Sequence, residues 1–419
     1  ERGRAPHPSG GKIALQQPAE ESIHFIFTTD CTPYMEWQSR LLLYSASRVG
    51  QQGMITRIVC GCAPPQEETL RRRHADMFPK QFLLHFAPAF KFKSRSMSKP
   101  LGVWHWVSNN VVQAKYIALL DPDFLFLKSM SVHLPADGVG RSEESSVTRV
   151  KDGVAFAGKY FLFNSNSRRK WQLPMGNRRK LDPDGFCTGN ATVTSPCDNL
   201  TQNDMLHYNV GVPYLATSRD WGNIARSWAE ISLRLHSAGM THIYVDMYAW
   251  ILACVHHGIK NVAHRGYMIS NAGVEDWPFI REGVRLRCGN PWKLREKHAQ
   301  ELDLLPVFFH YCTPFEITNS SGSTPVVTNK YWYRRTFPTC KALPNLTSIR
   351  FEENLDKKLV QHYFGVCTMT YAVQEWACGK DDLSGSERDA TGQLLPRVAP
   401  AARPASRKRH GALAARARA

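Results

Sequence analysis

The sequence predicts an α/β fold with a mostly parallel central sheet and helices on both faces. Three observations point to it. Short apolar runs and amphipathic segments alternate through residues 23–127, as a parallel sheet with crossover helices requires. The apolar runs have strand length rather than helix length. The intervening segments begin at Thr32-Pro33, Pro65 and Ser98-Lys99-Pro100, and proline in the first turn is a helix-start signal.

The elements follow in order. Residues 1–20 are rich in Gly, Pro, Gln and Arg and read as a flexible stem. Ile23 to Phe27 is the first strand. Thr32 is the N-cap and Pro33 the first residue of a helix that carries Trp37, Leu41 and Tyr44 at helical spacing and ends at Gly50. Ile55 to Cys60 is the second strand. Pro65 opens a charged helix that ends before Pro79, and Phe82 to Phe86 is the third strand. The helix opened by Ser98-Lys99-Pro100 is expected to bury Leu101, Trp104, Val107 and Val111. Tyr116 to Leu120 is the fourth strand. Right-handed crossovers place the functional loops at the carboxyl ends of such strands. Two loops qualify, Thr28-Thr29-Asp30 after the first strand and Asp121-Pro122-Asp123 after the fourth.

The second half is less regular. Val154 to Phe163 reads as one or two strands, and residues 164–203 as a polar surface excursion. Ser218 to Gly239 is an amphipathic helix with Ile224, Trp228, Ile231 and Leu235 on its apolar face. Asp246 can cap another, with Tyr248, Ile251, Leu252 and Val255 as the buried stripe. Leu304 to Phe309 is a late strand ending at His310. Residues 381–419 are biased to Ala, Arg and Pro and read as a disordered basic tail.

The net charge of +17 raises the question of a polyanion partner. The tail accounts for only +4 of it, with eight Arg/Lys against four acids. The basic clusters at residues 71–73, 168–170 and 178–180 are flanked by acids or prolines and read as solvated faces. No nucleic-acid-binding motif accompanies them, so nucleic acid is not the expected partner. Eleven cysteines without a C-x-x-C pair argue against a zinc ribbon. Sequons at Asn190, Asn199, Asn319 and Asn345 favour a secretory lumen. Disulfides are plausible there, and Cys187 with Cys197 is the pair suggested by their shared glycine-containing loop. No apolar run approaches a membrane span. Membrane attachment is expected only through an anchor before Glu1.

Asp121 and Asp123 carry the chemical argument. A bare D-x-D is weak, and the chain has a second one at Asp182 and Asp184. That one sits in a polar context that suits a solvated turn. The first lies between the apolar runs Tyr116–Leu120 and Phe124–Leu127. Carboxylates so placed need a compensating cation or hydrogen bonds. Two acids at a strand end can share a hard divalent ion, Mn²⁺ or Mg²⁺, and such an ion can stabilise a diphosphate leaving group. A D-x-D also occurs in haloacid-dehalogenase-like phosphatases. There it ends the first strand and continues with Gly-Thr or Thr/Val, whereas here it ends the fourth and continues with Phe124-Leu125.

A βα repeat followed by strand, D-x-D and strand resembles the GT-A fold of nucleotide-sugar glycosyltransferases. The run from His24 to Gln38 looks like the start of plant and algal peptidyl serine α-galactosyltransferases and hydroxyproline O-arabinosyltransferases. Ile55-Thr-Arg57, Ser98-Lys-Pro100, Trp221 through Trp228, Asp246-Met-Tyr248 and Phe309-His-Tyr311 match in the family's order. The resemblance implies a GT-A-type, Rossmann-like nucleotide-diphospho-sugar transferase. Its single catalytic domain would span 21–380, with a nucleotide-sugar-binding half at 21–127 and an acceptor-side half at 150–318.

The resemblance implies roles that the residue chemistry permits. Thr28, Thr29 and Asp30 would meet the uridine. Lys99, at a helix start, would favour a phosphate. Asp121 and Asp123 would hold the metal, with His310 as third ligand, since imidazole suits Mn²⁺. Asp246 would face the transferred sugar as the catalytic carboxylate, or serve simply as a cap. Asp276-Trp277 and Trp292 are candidates for stacking on sugar or core residues, while His256 and His257 read as core or surface. The expected function is metal-dependent transfer of galactose or arabinose from a UDP-sugar to a Ser or hydroxyproline hydroxyl of a protein acceptor. The Golgi or endoplasmic reticulum is the expected setting, and retention of anomeric configuration is implied by the resemblance. The rivals are a polyanion-binding protein and an inactive sugar-binding relative.

Overall fold

The computed structural model describes residues 21–77, 80–90, 97–133, 148–160, 207, 210–237, 244–264, 266–272, 277, 291–293, 305–317, 326–328, 330 and 357–378. The stem, the polar excursion, the second D-x-D, all four sequons, Cys187, Cys197, Asp276 and the tail lie outside these residues.

The first half follows the expected alternation. β1 (Ile23–Thr29), α1 (Pro33–Arg48), β2 (Ile55–Cys60), α2 (Pro64–Met77), β3 (Phe82–Ala87), α3 (Ser98–Asn109) and β4 (Tyr116–Leu120) succeed one another. Thr32 caps α1, its hydroxyl accepting from the Met35 amide, and Pro33 follows at the first helical position. Beyond the helix Gly50 takes φ +67°, the left-handed conformation that favours glycine.

The second half adds β5 (Phe124–Phe126), β6 (Val154–Lys159), β7 (Val210–Thr217), α4 (Ser218–Ser237), α5 (Val245–His256), β8 (Lys260–His264), β9 (Met268–Ile269), β10 (Phe308–His310), β11 (Phe315–Ile317), β12 (Val326–Thr328) and α6 (Lys357–Cys378). Among the described residues the central sheet has seven strands in the order β3-β2-β1-β4-β7-β6-β8. β7 alone runs against the others: it is antiparallel to β4 and to β6, and every remaining pairing in the sheet is parallel. This mostly parallel α/β architecture is consistent with a Rossmann-like GT-A fold. A small sheet of β5, β10 and β9 stands beside it.

Two apolar cores meet at α1. Leu42, Leu43 and Ala46 join the core of the central sheet, while Trp37, Leu41 and Tyr44 face a second core with Leu125, Phe309 and the α6 residues Val373 and Trp376. β5 and β10 divide their side chains in the same way. Phe124, Phe126 and Phe308 enter the first core, and Leu125 and Phe309 the second. Both short strands are thus clamped from two sides. α4 buries Ile224, Trp228, Ile231 and Leu235 as its periodicity predicts. Its Trp221 donates to the Ile117 carbonyl at 2.8 Å and its Trp228 to the Asp246 carbonyl at 2.6 Å. The second bond ties α4 to the start of α5.

Two expected helix faces need correction. α3 buries Pro100, Leu101, Val103 and Trp106, whereas Trp104 is exposed and Val111 lies beyond the helix at 93% exposure. The contact face is set by Gly102, where an added Cβ would stand 2.8 Å from Cys60 Sγ. Only the missing side chain lets α3 approach the sheet so closely. In α5 the N-cap position is Tyr244, and Asp246 sits inside the first turn, buried. Trp250 stacks on Tyr214 of the sheet at 4.0 Å, which turns Tyr248 and Leu252 to the half-buried flank. Among the described residues no helix is long and apolar enough to cross a membrane.

Candidate active site

In the sheet order, β1 is followed on one side by β2 and β3 and on the other by β4. The strand order therefore reverses between β1 and β4, and ligands of open α/β sheets bind in the crevice beyond the carboxyl ends at such a point. A cavity of about 670 Å³ opens there, well within the range of small-molecule sites. Thr28, Thr29 and Asp30 enter it from β1, Asp121 and Asp123 from the end of β4, and Tyr160 from the end of β6. Because β7 is antiparallel, its beginning lies at this edge, and Val212 forms part of the wall.

The turn after β4 builds a group of three metal-type donors. The Phe124 amide donates to the Asp121 carbonyl at 3.3 Å, and the chain continues directly into β5. β5 pairs with β10 so that Phe124 faces His310, and the Tyr311 amide donates to the Asp123 carbonyl at 3.2 Å. This register carries a histidine from a distant part of the sequence to the D-x-D. Donor atoms of Asp121, Asp123 and His310 all lie within 4.8 Å of one another. His310 Nε2 is 3.3 Å from Asp123 Oδ1, and its ring packs edge-on against Phe124 at 4.7 Å. Two carboxylates and one imidazole form a donor set suited to a divalent cation such as Mn²⁺ or Mg²⁺.

Two lysines balance the acids. Burial pushes the Asp123 carboxyl up, but Lys330 and His310 outweigh it and hold the group far below the ordinary carboxylate range. Lys330 Nζ pairs with Asp123 Oδ2. Burial opposes protonation of His310, yet Cys312 and Asp123 raise its pKa well above the usual value. Lys99 lies in the first turn of α3, where it was expected. It is mostly buried and spans two carboxylates, 2.7 Å from Asp121 Oδ1 and 3.0 Å from Asp246 Oδ2. Burial alone would lower its pKa, and the two acids reverse that. Asp246 moves the other way. Burial raises its pKa, Lys99 pulls it back, and Asp121 adds to the rise.

The β1 loop is held from within. Asp30 Oδ1 accepts the Thr32 amide at 2.8 Å and the Thr32 hydroxyl, so one carboxylate oxygen is engaged in starting α1. A disulfide between Cys31 and Cys62 joins the loops after β1 and β2. The expected Cys187–Cys197 pair lies outside the described residues, whereas Cys31 and Cys62 follow the ends of β1 and β2, which the structure sets side by side. Lys330, Tyr34, Gln38, Tyr160, Tyr244 and Asn271 also line the cavity and were not anticipated. Nothing local in the sequence marks Lys330, which reaches the site after β12. Trp277 and Trp292 belong to the second core instead of a sugar platform, and Trp292 donates to the Phe126 carbonyl at 2.8 Å. His256 is exposed, and His257 pairs with Ser227 at 2.8 Å, away from the cavity.

No protein-family model matches the chain. Over 110 residues, 25% of its length, it is 30% identical to a peptidyl serine alpha-galactosyltransferase of Arabidopsis thaliana. Over 112 residues, 26% of its length, it is 27% identical to the protein of the same name from Chlamydomonas reinhardtii. The matched segments span only 13% and 15% of those relatives' own lengths. These similarities support a distant relationship to galactosyltransferases.

Proposed function

We propose that the chain is a metal-dependent glycosyltransferase that moves a sugar from a UDP-sugar to a hydroxyl of a protein acceptor. The observation that carries this reading is the grouping of Asp121, Asp123 and His310 at the switch-point crevice, flanked by Lys99 and Lys330. Galactose is the sugar named by the distant relatives, arabinose is the second candidate from the resemblance, and a Ser or hydroxyproline side chain is the acceptor. The Cys31–Cys62 disulfide supports an oxidising, secretory setting such as the Golgi lumen.

Each residue has a task in this reading. Thr28, Thr29 and Asp30 hold the uridine end at the tip of β1. Asp121, Asp123 and His310 hold the divalent cation, which supplies positive charge to the diphosphate leaving group. Lys99 and Lys330 place two ammonium groups beside the same diphosphate. Asp246, kept in place by Lys99 and by the Trp228 bond to its carbonyl, faces the sugar and accepts hydrogen bonds from its hydroxyls or the acceptor's proton.

The test is a donor panel. Purified chain with Mn²⁺ is offered UDP-galactose and UDP-arabinofuranose, with UDP release and product mass as readouts. One donor should turn over. Asp123→Asn should lower kcat/KM by about a thousandfold or more, as loss of a transition-state charge clamp does, with an unchanged circular-dichroism spectrum. Full activity of that variant, or of wild type in excess chelator, overturns the reading.

A further inference from the structure

Beneath the β1 loop lies a charged group with no contact to the metal-type cluster. Arg57 on β2, Glu36 and Arg40 on α1 are all buried, at 3%, 8% and 0% exposure. Arg40 Nε donates to one Glu36 oxygen at 2.7 Å, and an Arg57 terminal nitrogen donates to the other. Burying such a group is a poor way to gain stability, because well-packed apolar residues do as well or better. Its placement calls for another account. Arg57 supplies one: its Nε donates to Thr29 Oγ1 at 2.9 Å, and its second terminal nitrogen donates to the Asp30 carbonyl at 3.4 Å. Glu36 fixes the guanidinium, and the guanidinium fixes the loop.

We infer that Arg57 is a positioning residue that sets the Thr29 hydroxyl as a hydrogen-bond donor to an acceptor oxygen of the bound nucleoside diphosphate. This rests on the nucleotide-sugar reading of the cavity. A guanidinium has donors only, so Thr29 Oγ1 must accept from it. The hydroxyl proton then points elsewhere, and among the described residues no hydrogen bond takes it up. Thr29 lines the cavity, so the ligand is where that proton finds its partner. Accepting from a cation also makes the hydroxyl a stronger donor. A ligand acceptor oxygen satisfies that proton, while the second lone pair of Oγ1 can still accept. The site thus offers a directed hydroxyl donor to an acceptor oxygen of the ligand, with its orientation fixed one residue behind the contact.

The experiment is calorimetric titration of UDP, in the presence of Mn²⁺, into wild type, Thr29→Ser, Thr29→Val, Arg57→Lys and the Thr29→Val/Arg57→Lys pair. Thr29→Val and Arg57→Lys should each weaken UDP binding about tenfold, the scale of one charge-assisted hydrogen bond. Thr29→Ser, which keeps the hydroxyl, should bind as wild type does. The double variant should be little weaker than either single one, because both remove the same interaction. Thermal unfolding of each variant separates lost binding from lost fold. If Arg57→Lys does not fold, Arg57→Gln, which keeps hydrogen-bond donors without the charge, takes its place in the same cycle with Thr29→Val. Wild-type affinity in Thr29→Val, or additive losses in the double variant, overturns the inference and leaves the nucleotide reading intact. Failure of the wild type to bind UDP overturns both.

Discussion

Glu36 offers a prediction whose size can be worked from the structure. Burial alone would raise its carboxyl, but Arg57 and Arg40 outweigh burial and hold it at about 2 instead of 4.5. The gap, 4.5 minus 2 at about 1.4 kcal/mol per pH unit, is worth about 3 kcal/mol of folding stability. The folded-state pKa is depressed, so this stability is fully present above pH 4.5 and is lost as pH falls through about 2. Arg40 works against it: burial lowers its pKa more than Glu36 restores it. The net worth of the trio is therefore smaller than the carboxyl alone suggests, but Arg40 titrates far above the acid range and leaves the pH dependence to Glu36. Glu36→Gln should remove that dependence and leave two buried guanidiniums without their counter-charge. Urea denaturation of both proteins across a pH series is the assay. Wild type should exceed the variant by about 3 kcal/mol near neutrality, falling to about 1 kcal/mol near pH 3. A difference that stays constant over that range, or equal stability near neutrality, would refute the reasoning.

Three further outcomes are expected. Cys62→Ser opens a disulfide whose cysteines are 31 positions apart; thermal unfolding should show a loss of about 3–4 kcal/mol, and KM for the donor should rise because the loop carrying Asp30 is released. Gly102→Ala puts a methyl 2.8 Å from Cys60 Sγ and 3.3 Å from Ile58 Cγ2; the overpacking should cost about 1–3 kcal/mol, and adding Cys60→Ala should recover part of it in the same unfolding assay. Lys99→Met leaves Asp121 and Asp246 without their shared cation; steady-state kinetics should show kcat/KM down about a hundredfold or more, with Lys99→Arg losing less.

The central sheet was legible because its signals are local. Thr32-Pro33 marks a helix start wherever it stands, and Ile23 to Phe27 can hardly be anything but a buried strand. Asp121 and Asp123 were legible for a related reason: two acids between apolar strands are costly unless something compensates them. The missed features are long-range. Lys330 meets Asp123 across 207 positions of sequence, and no propensity or spacing records that meeting. Trp277 and Trp292 stood open between core and sugar platform, because tryptophan type does not reveal which role claims it, and the second core holds both. The α3 face was misread because apolar spacing suggested one stripe, while Gly102, which carries no hydrophobic signal, decided the contact. Cys31 and Cys62 fall between these cases. Their pairing follows once β1 and β2 are set parallel side by side, but alternation alone does not state which strands are neighbours.

The charge of the chain and the charge of its site point in opposite directions. The protein carries +17 overall, yet the described charged side chains of the cavity are Asp30, Asp121, Asp123 and Asp246 against Lys99 and Lys330, with His310 beside them. A groove built to hold a polyanion by charge alone would show the reverse. At an effective dielectric of about 20, two like charges about 5 Å apart repel by about 3 kcal/mol, so a diphosphate facing these carboxylates unaided would be repelled. In the proposed reading, Asp121, Asp123 and His310 would hold a divalent cation whose charge would offset that repulsion. Both lysines already contact the carboxylates of that group, which puts ammonium groups beside any diphosphate bound there. In the proposed glycosyltransferase reading, the acids would favour an anion that arrives with a metal ion. The net positive charge of the chain can raise the local concentration of such an anion, but it does not define where the anion binds.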